Sequence, residues 1–340
     1  MKKLVLEDLE KLVVVNCEKP KQKNDVIIKV SYCGVCGADM KSYRKGHRDL
    51  FYPRVLGHEI TGEIEYVPAE LKEDFKVGDR VQIFPGNYCN NCRYCDVGKE
   101  NLCDSMEILG FHKDGGMQEF IEIKGASAKK VLNKIPDGLS PDIATFAEPV
   151  ACAINIQEKV SIKGAENILI LGAGRLGMIN YFLAEKSSHG SVVIADVYSP
   201  RLSTAIYKKT LDLSQDDADS ILNEITCGKG PDVVLICNSS PQSLVDAIRL
   251  CSKGGKIGYF SGLHKDEIDT KILNELHYKE IQLFGSYGCT FKGNSVALEL
   301  LDSGMIPFEK LMAETYSLND VEKAIFALEE KSVMSAIIKL

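Results

Sequence analysis

Four cysteines, Cys89, Cys92, Cys95 and Cys103, fall inside fifteen residues in the spacing C-x2-C-x2-C-x7-C. Cysteines crowded this closely cannot staple distant segments, but their four thiolates can close a tetrahedral cage around Zn2+. Such a cage leaves no coordination position open. It belongs to a structural site, whose binding free energy goes into folding. An iron–sulfur cluster is the neighbouring alternative. Its fourth cysteine follows more tightly and precedes proline, whereas Cys103 precedes Asp104. Disulfides are a poorer fit, because the twelve cysteines of the chain are not spread as a framework.

The rest of the chain must build a scaffold for that loop. A length of 340 residues exceeds one ordinary domain, so two are expected. A charged content of 26% gives no sign of disorder, and a net charge of -7 argues against a nucleic-acid partner. No apolar run is long enough to cross a bilayer, so no membrane is expected. The N-terminus MKKLVLEDLEKLVVVN starts like a secretory leader, but Glu7, Asp8 and Glu10 interrupt it, and the expectation is a cytoplasmic protein.

The first part of the chain reads as short β-type runs broken by Gly, Pro and Asn, among them VIIKVSY (26–32), EITGEIEY (59–66), RVQIF (80–84) and EFIEI (119–123). This predicts an irregular, β-rich partial barrel. Past Gly164 the pattern changes to apolar strands alternating with helices: NILIL (167–171), SVVIAD (191–196), DVVLIC (232–237), KIGYFS (256–261) and IQLFGS (281–286). Strands without polar alternation, separated by helices, predict a doubly wound parallel sheet covered on both faces. The fold class is therefore α/β, a β-rich partial barrel followed by a doubly wound parallel sheet.

Between the first parallel strand and its helix stands Gly172-Ala173-Gly174-Arg175-Leu176-Gly177. The first glycine of G-x-G-x-x-G permits a tight turn, the second lets a pyrophosphate approach the backbone, and the third lets helix and strand pack closely. The phosphates would lie on free N–H groups at the helix start. Asp196 ends the second strand, where an acid accepts bonds from a ribose and repels a 2′-phosphate, so the expected cofactor is NAD. Arg201, five residues on, leaves room for NADP.

A catalytic metal needs a separate, open site. Its candidates are Cys36 in CGVCGAD, His58-Glu59 in GHE and Glu148 in AEP. Each is weak alone, since a lone cysteine is usually a small core residue and Cys33 with Cys36 also reads as C-x-x-C. Taken in order, C-G-V-C-G-x-D, G-H-E-x-x-G, the four-cysteine loop, D-G-G-M-Q-E-F, A-E-P and G-x-G-x-x-G resemble the zinc-containing medium-chain dehydrogenase/reductase family over essentially the whole chain. The nearer likeness is to its polyol (sorbitol-type) branch, which carries Glu before Pro in the late ligand region.

The resemblance implies a GroES-like catalytic domain made of both chain ends, 1–148 and 289–340, with a Rossmann NAD-binding domain, 149–288, inserted between them. It implies that Cys36, His58 and Glu59 bind a catalytic zinc, that Glu148 is its direct or water-mediated fourth partner, and that Asp39 orients His58. Cys33 would be a bystander. The implied activity is NAD-linked oxidation of a secondary hydroxyl on a polyol or sugar alcohol, or the reverse reduction, by a homo-oligomer, tetramer or dimer. A phosphosugar or L-threonine-type dehydrogenase is the alternative within enzymes. A zinc- and nucleotide-binding redox sensor without turnover is the alternative outside them.

One departure from the family stands out. It usually places Ser or Thr two residues after the ligand cysteine as a proton relay, and here that position is Ala38, with Lys41 three further on. In addition Lys41, Arg44, Lys45, His47, Arg48 and Arg54 crowd the segment between Cys36 and His58. Either this segment is a solvated loop, or it reads an anionic group on a small hydroxylated substrate.

Overall fold

The computed structural model describes residues 1–203, 205–215, 217–262, 270–311 and 313–340. The chain divides into two compact units, Met1–Ala151 with Cys289–Leu340, and Cys152–Gly288.

The first unit is built around one long strand, Val26–Val35, whose apolar residues are buried along most of its length. It pairs antiparallel with Glu59–Tyr66, Phe120–Ile123 and the last strand of the chain, Ser335–Lys339. Arg80–Ile83 and Leu132–Lys134 extend the sheet on one side, and Ala313–Ser317 extends it on the other. Register shifts at Ile27/Ile28 and Val30/Tyr32 mark bulges, which bend and twist a strand and so curl the sheet toward a barrel. A hairpin of Lys2–Asp8 and Lys11–Asn16 pairs with Arg54–Val55 in a separate small sheet. Pairing of Ile338 with Cys33 brings the C-terminal strand beside the strand that leads into Cys36.

The second unit is a six-stranded sheet in the order Thr210–Asp212, Val192–Asp196, Ile168–Leu171, Val233–Ile236, Lys256–Tyr259, Gln282–Gly285. Every adjacent pair is parallel. The two central strands, ILIL and VVLI, are buried at all four positions, as strands covered on both faces must be, whereas the edge strand Gln282–Gly285 is largely exposed. Leu169, Leu171, Val234, Ile236, Ile248 and Ile257 share one core. Each such side chain contributes about 1.5–3 kcal/mol by leaving water. This strand order turns back on itself at Ile168–Leu171, the switch point where doubly wound sheets bind ligands. The first unit is GroES-like and the second Rossmann-type. No helix among the described residues is long and apolar enough to cross a membrane.

Candidate active site

The four-cysteine loop folds as two short 3-10 turns, Cys95–Val97 and Glu100–Leu102, with Asn90 and Gly98 in left-handed conformations that reverse the chain. Its four sulfurs lie within 4.8 Å of one another. Cys92 and Cys95 are 3.6 Å apart, Cys89 and Cys103 3.5 Å, and Cys89 and Cys95 4.0 Å. Sulfurs bound at about 2.3 Å to a tetrahedral ion stand about 3.8 Å from each other. The loop is thus set at the spacing of a zinc cage and far beyond disulfide bonding. Backbone N–H groups, that of Cys95 first, pull the Cys92 thiol down to about 6, toward the thiolate a metal needs. Glu100, buried at the loop's base, accepts the Phe291 N–H at 2.9 Å and ties the loop to the C-terminal segment.

The second group of donors is assembled from distant parts of the first unit. Cys36 caps the helix Gly37–Lys45 at the end of Val26–Val35, and Glu59 opens the next strand directly opposite Gly34. A Cβ on Gly34 would stand 2.0 Å from Glu59 Oε2, so only glycine lets that carboxylate lie against the neighbouring strand. Gly57 has φ +95°, and a Cβ there would meet the Cys33 sulfur at 2.4 Å. These two glycines let His58 and Glu59 reach Cys36, and donor atoms of the three residues lie within 4.8 Å of one another. Cys33 lies outside that group. It is fully buried with its thiol directed at the Gly34 carbonyl, and burial raises its pKa.

Asp39 is fully buried. Its carboxylate accepts the Cys36 N–H at 2.9 Å and the Gly57 N–H at 3.2 Å, pinning together the backbones that carry Cys36 and His58. Its Oδ1 lies 3.7 Å from His58 Nδ1. Burial pushes the His58 imidazole down, but Asp39, then Cys36 and Glu148, pull it up more strongly, so it ends well above its ordinary value. His58 Nδ1 is buried with no hydrogen-bond partner. A pocket of thiol and carboxylate donors that draws positive charge onto its histidine suits a cation such as Zn2+.

Glu148 is buried in the first turn of the helix Ala147–Val160, close enough to act electrostatically on His58 but outside the three-donor group. Its Oε1 lies 3.7 Å from the Cys289 sulfur, which also accepts from Asn294 Nδ2 at 3.2 Å. Gln82 Nε2 donates to Asn294 Oδ1 at 2.9 Å, and Asn133 to Gln82 Oε1 at 3.1 Å. Sequence reasoning did not anticipate this buried polar chain. Cys289 and Asn294 belong to no motif, and the only available hint was an amide in the apolar stripe of a helix.

In the second unit Gly172 turns at φ +108°, and a Cβ on Gly177 would stand 1.7 Å from the Gly172 carbonyl oxygen. Gly174 caps the helix Arg175–Ser187, so Arg175 and Leu176 form its first turn. Asp196 stands at the end of Val192–Asp196, where its carboxylate accepts the Ala173 N–H at 2.7 Å and the Tyr198 N–H at 2.9 Å. The same acid thus shapes the glycine turn beside it. The Arg201 guanidinium reaches back to within 3.3 Å of where a Gly174 side chain would begin.

In the basic segment, three of the arginines are tied to acidic partners. Arg44 is clamped between Glu10 and Glu329 at 2.7 Å each and stacks on Tyr43 and Phe326. Arg48 bonds Asp49, and Arg54 bonds Asp114. Three of the charges are therefore neutralised within the fold, which a linear count of basic residues cannot show.

A barrel-like unit carrying one four-sulfur group and one three-donor group, joined to a dinucleotide-type sheet, defines a class of two-domain oxidoreductases. The comparisons agree. The alcohol dehydrogenase GroES-like domain family matches residues 22–137, and the zinc-binding dehydrogenase family matches residues 204–303. An uncharacterized zinc-type alcohol dehydrogenase-like protein of Haemophilus influenzae is 30% identical, covering 97% of this chain and 95% of that protein. A sorbitol dehydrogenase of Halalkalibacterium halodurans is 30% identical over 94% of each chain. The crystal structure of Escherichia coli RspB with NADH superposes with a TM-score of 0.87 at 26% identity, covering 100% of this chain and 99% of that one. The chain belongs to the zinc-containing medium-chain dehydrogenase/reductase family, whose members are zinc-binding, nicotinamide-linked oxidoreductases.

Proposed function

We propose that this chain is an NAD-linked, zinc-dependent dehydrogenase acting on a secondary hydroxyl of a polyol or sugar-alcohol-like substrate, or on the matching ketone. The observation that carries this reading is the convergence of Cys36, His58 and Glu59, three donors from two separate segments. Catalytic zinc sites keep a position open for substrate, and three protein ligands do so. Its sorbitol dehydrogenase relatives point to the substrate class. Bound zinc supplies a Lewis acid that lowers the pKa of an alcohol, and bound NAD+ accepts the hydride.

The chain's own residues do the rest. Asp39 keeps Cys36 and His58 in register through two backbone bonds. The proton released by the alcohol leaves through bound water with Glu148 or Glu59, or through Lys41. Ala38 offers no hydroxyl for that role. The glycine turn and the first turn of Arg175–Ser187 seat the pyrophosphate, and Asp196 takes the ribose hydroxyls in preference to a 2′-phosphate. Cys89, Cys92, Cys95 and Cys103 hold a second, structural zinc. Residues 1–148 with 289–340 act as the catalytic domain and 149–288 as the NAD domain, in a dimer or tetramer. The test is NADH formation on mixing the zinc-loaded protein with NAD+ and a panel of polyols, sugar acids and amino alcohols. Turnover of a polyol supports the reading, and no turnover across the panel, in both directions, contradicts it.

A further inference from the structure

Once Arg44, Arg48 and Arg54 are set aside, the basic segment still leaves Lys41, Lys45 and His47, and the fold adds a second histidine from elsewhere. Lys41 lies on the helix Gly37–Lys45, little more than a turn past Cys36. It is exposed and forms no ion pair among the described residues. His47 follows that helix, and its Nδ1 accepts the Asp49 N–H at 3.2 Å. His112 comes from a different loop, and its Nδ1 accepts the Ile108 N–H at 3.1 Å. An imidazole whose Nδ1 accepts a backbone N–H carries its own proton on Nε2, so each ring presents one N–H donor.

The buried Phe111, next to His112 in the chain, joins these groups to the metal-type donors. Its ring centroid lies 4.6 Å from that of His47 and 5.5 Å from that of His58. His47 and His58 are therefore within about 10 Å of each other, a span that a short polyol chain covers with one hydrogen bond at its far end. Burial, helped by the nearby Lys41 and Arg48, outweighs Asp49 and keeps the His47 imidazole below its ordinary pKa.

We propose that Lys41, His47 and His112 form a subsite for the carboxylate of a polyhydroxylated acid whose secondary hydroxyl lies at Cys36, His58 and Glu59. This deepens the dehydrogenase reading above and rests on it for the reacting end of the substrate. The charge balance selects carboxylate over phosphate. One uncompensated ammonium and two neutral N–H donors match a single negative charge, whereas a phosphate dianion leaves one charge unanswered.

The experiment compares an aldonate, the alditol of the same configuration and that alditol's phosphate as substrates. Their binding to the zinc-loaded protein with NADH is measured in parallel by calorimetry. The aldonate is expected to bind and to turn over best. In Lys41→Met and His112→Phe the aldonate-to-alditol ratio of kcat/KM, and of affinity, should fall about tenfold or more, with Lys41→Arg regaining much of the loss. A ratio unmoved by either variant, or a preference for the phosphate, overturns the subsite while leaving the dehydrogenase reading intact. Selective aldonate binding that Lys41→Met abolishes, without turnover of any substrate, supports the subsite and contradicts the dehydrogenase reading.

Discussion

The four-cysteine loop and the Cys36–His58–Glu59 group are both clusters of metal-type donors in the same unit, yet they are built in opposite ways. The loop gathers four ligands of one kind from fifteen neighbouring residues, and backbone N–H groups turn toward its sulfurs. The second group gathers three ligands of three kinds from two segments, and it depends on Gly34, Gly57 and Asp39 to bring them together. Local construction suits a staple that must form with the fold. Long-range construction suits a site where one position stays open and where each donor is held by something other than the metal.

That contrast is open to mutation. We expect the largest effect from Cys89→Ser, which should cost several kcal/mol of stability, because a closed site's binding energy is folding energy. Cys36→Ser should leave unfolding nearly unchanged and lower kcat/KM by about 10^3 or more, roughly 4 kcal/mol of transition-state stabilisation. Thermal unfolding and steady-state kinetics on both variants decide it. If the two behave alike, the division of labour is wrong.

Glycines sharpen the comparison. Gly34→Ala pushes a methyl group into the Glu59 carboxylate, so activity should fall by about tenfold or more, and a crystal structure should show that carboxylate displaced. Gly98→Ala, in the cysteine loop, meets nothing within 4 Å and carries only the strain of φ +69°, about 1 kcal/mol. Unfolding curves should register it while kinetics should not.

In the other unit we expect Asp196 to set cofactor choice. A carboxylate against a 2′-phosphate costs several kcal/mol, so kcat/KM should favour NAD+ by about 10^2 or more, and Asp196→Ala should narrow the gap. Equal use of both cofactors by the wild type contradicts this placement.

The smallest effect belongs to Arg44, outside both clusters. Arg44→Ala should lower Tm by no more than about 2 °C, because exposed ion pairs contribute little. Its hydrogen bond holds Glu329 below the usual carboxylate range. That contribution is present above the unfolded carboxylate's pKa and fades as pH falls through the folded one. The wild-type and variant unfolding curves should therefore converge on acidification.

How legible each feature was in the sequence follows from the same distinction. The cysteine spacing and the glycine turn are local, so both were readable, and five of the six parallel strands were located to within a residue or two, while the short edge strand Thr210–Asp212 went unread. Strand Val26–Val35 runs longer than its sequence signal because Cys33 and Gly34 pair with Ile338 and Ile337, far along the chain. The helix Ala147–Val160 went unread, since AEPVACAINI is apolar almost without interruption and shows no helical period. The contacts of Glu148 with Cys289, and of Arg44 with Glu10 and Glu329, exist only through space. No spacing rule reaches them.

The central claim is that two metal ions serve two different ends, and stepwise chelation of the purified, active protein tests it most directly. Zinc content, NADH formation and thermal unfolding are followed together. We expect about two zinc ions per chain at the start. The first should be lost along with all activity while Tm holds, and unfolding should follow only with loss of the second. Full activity with a single metal ion per chain, or loss of fold and activity in one step, contradicts it.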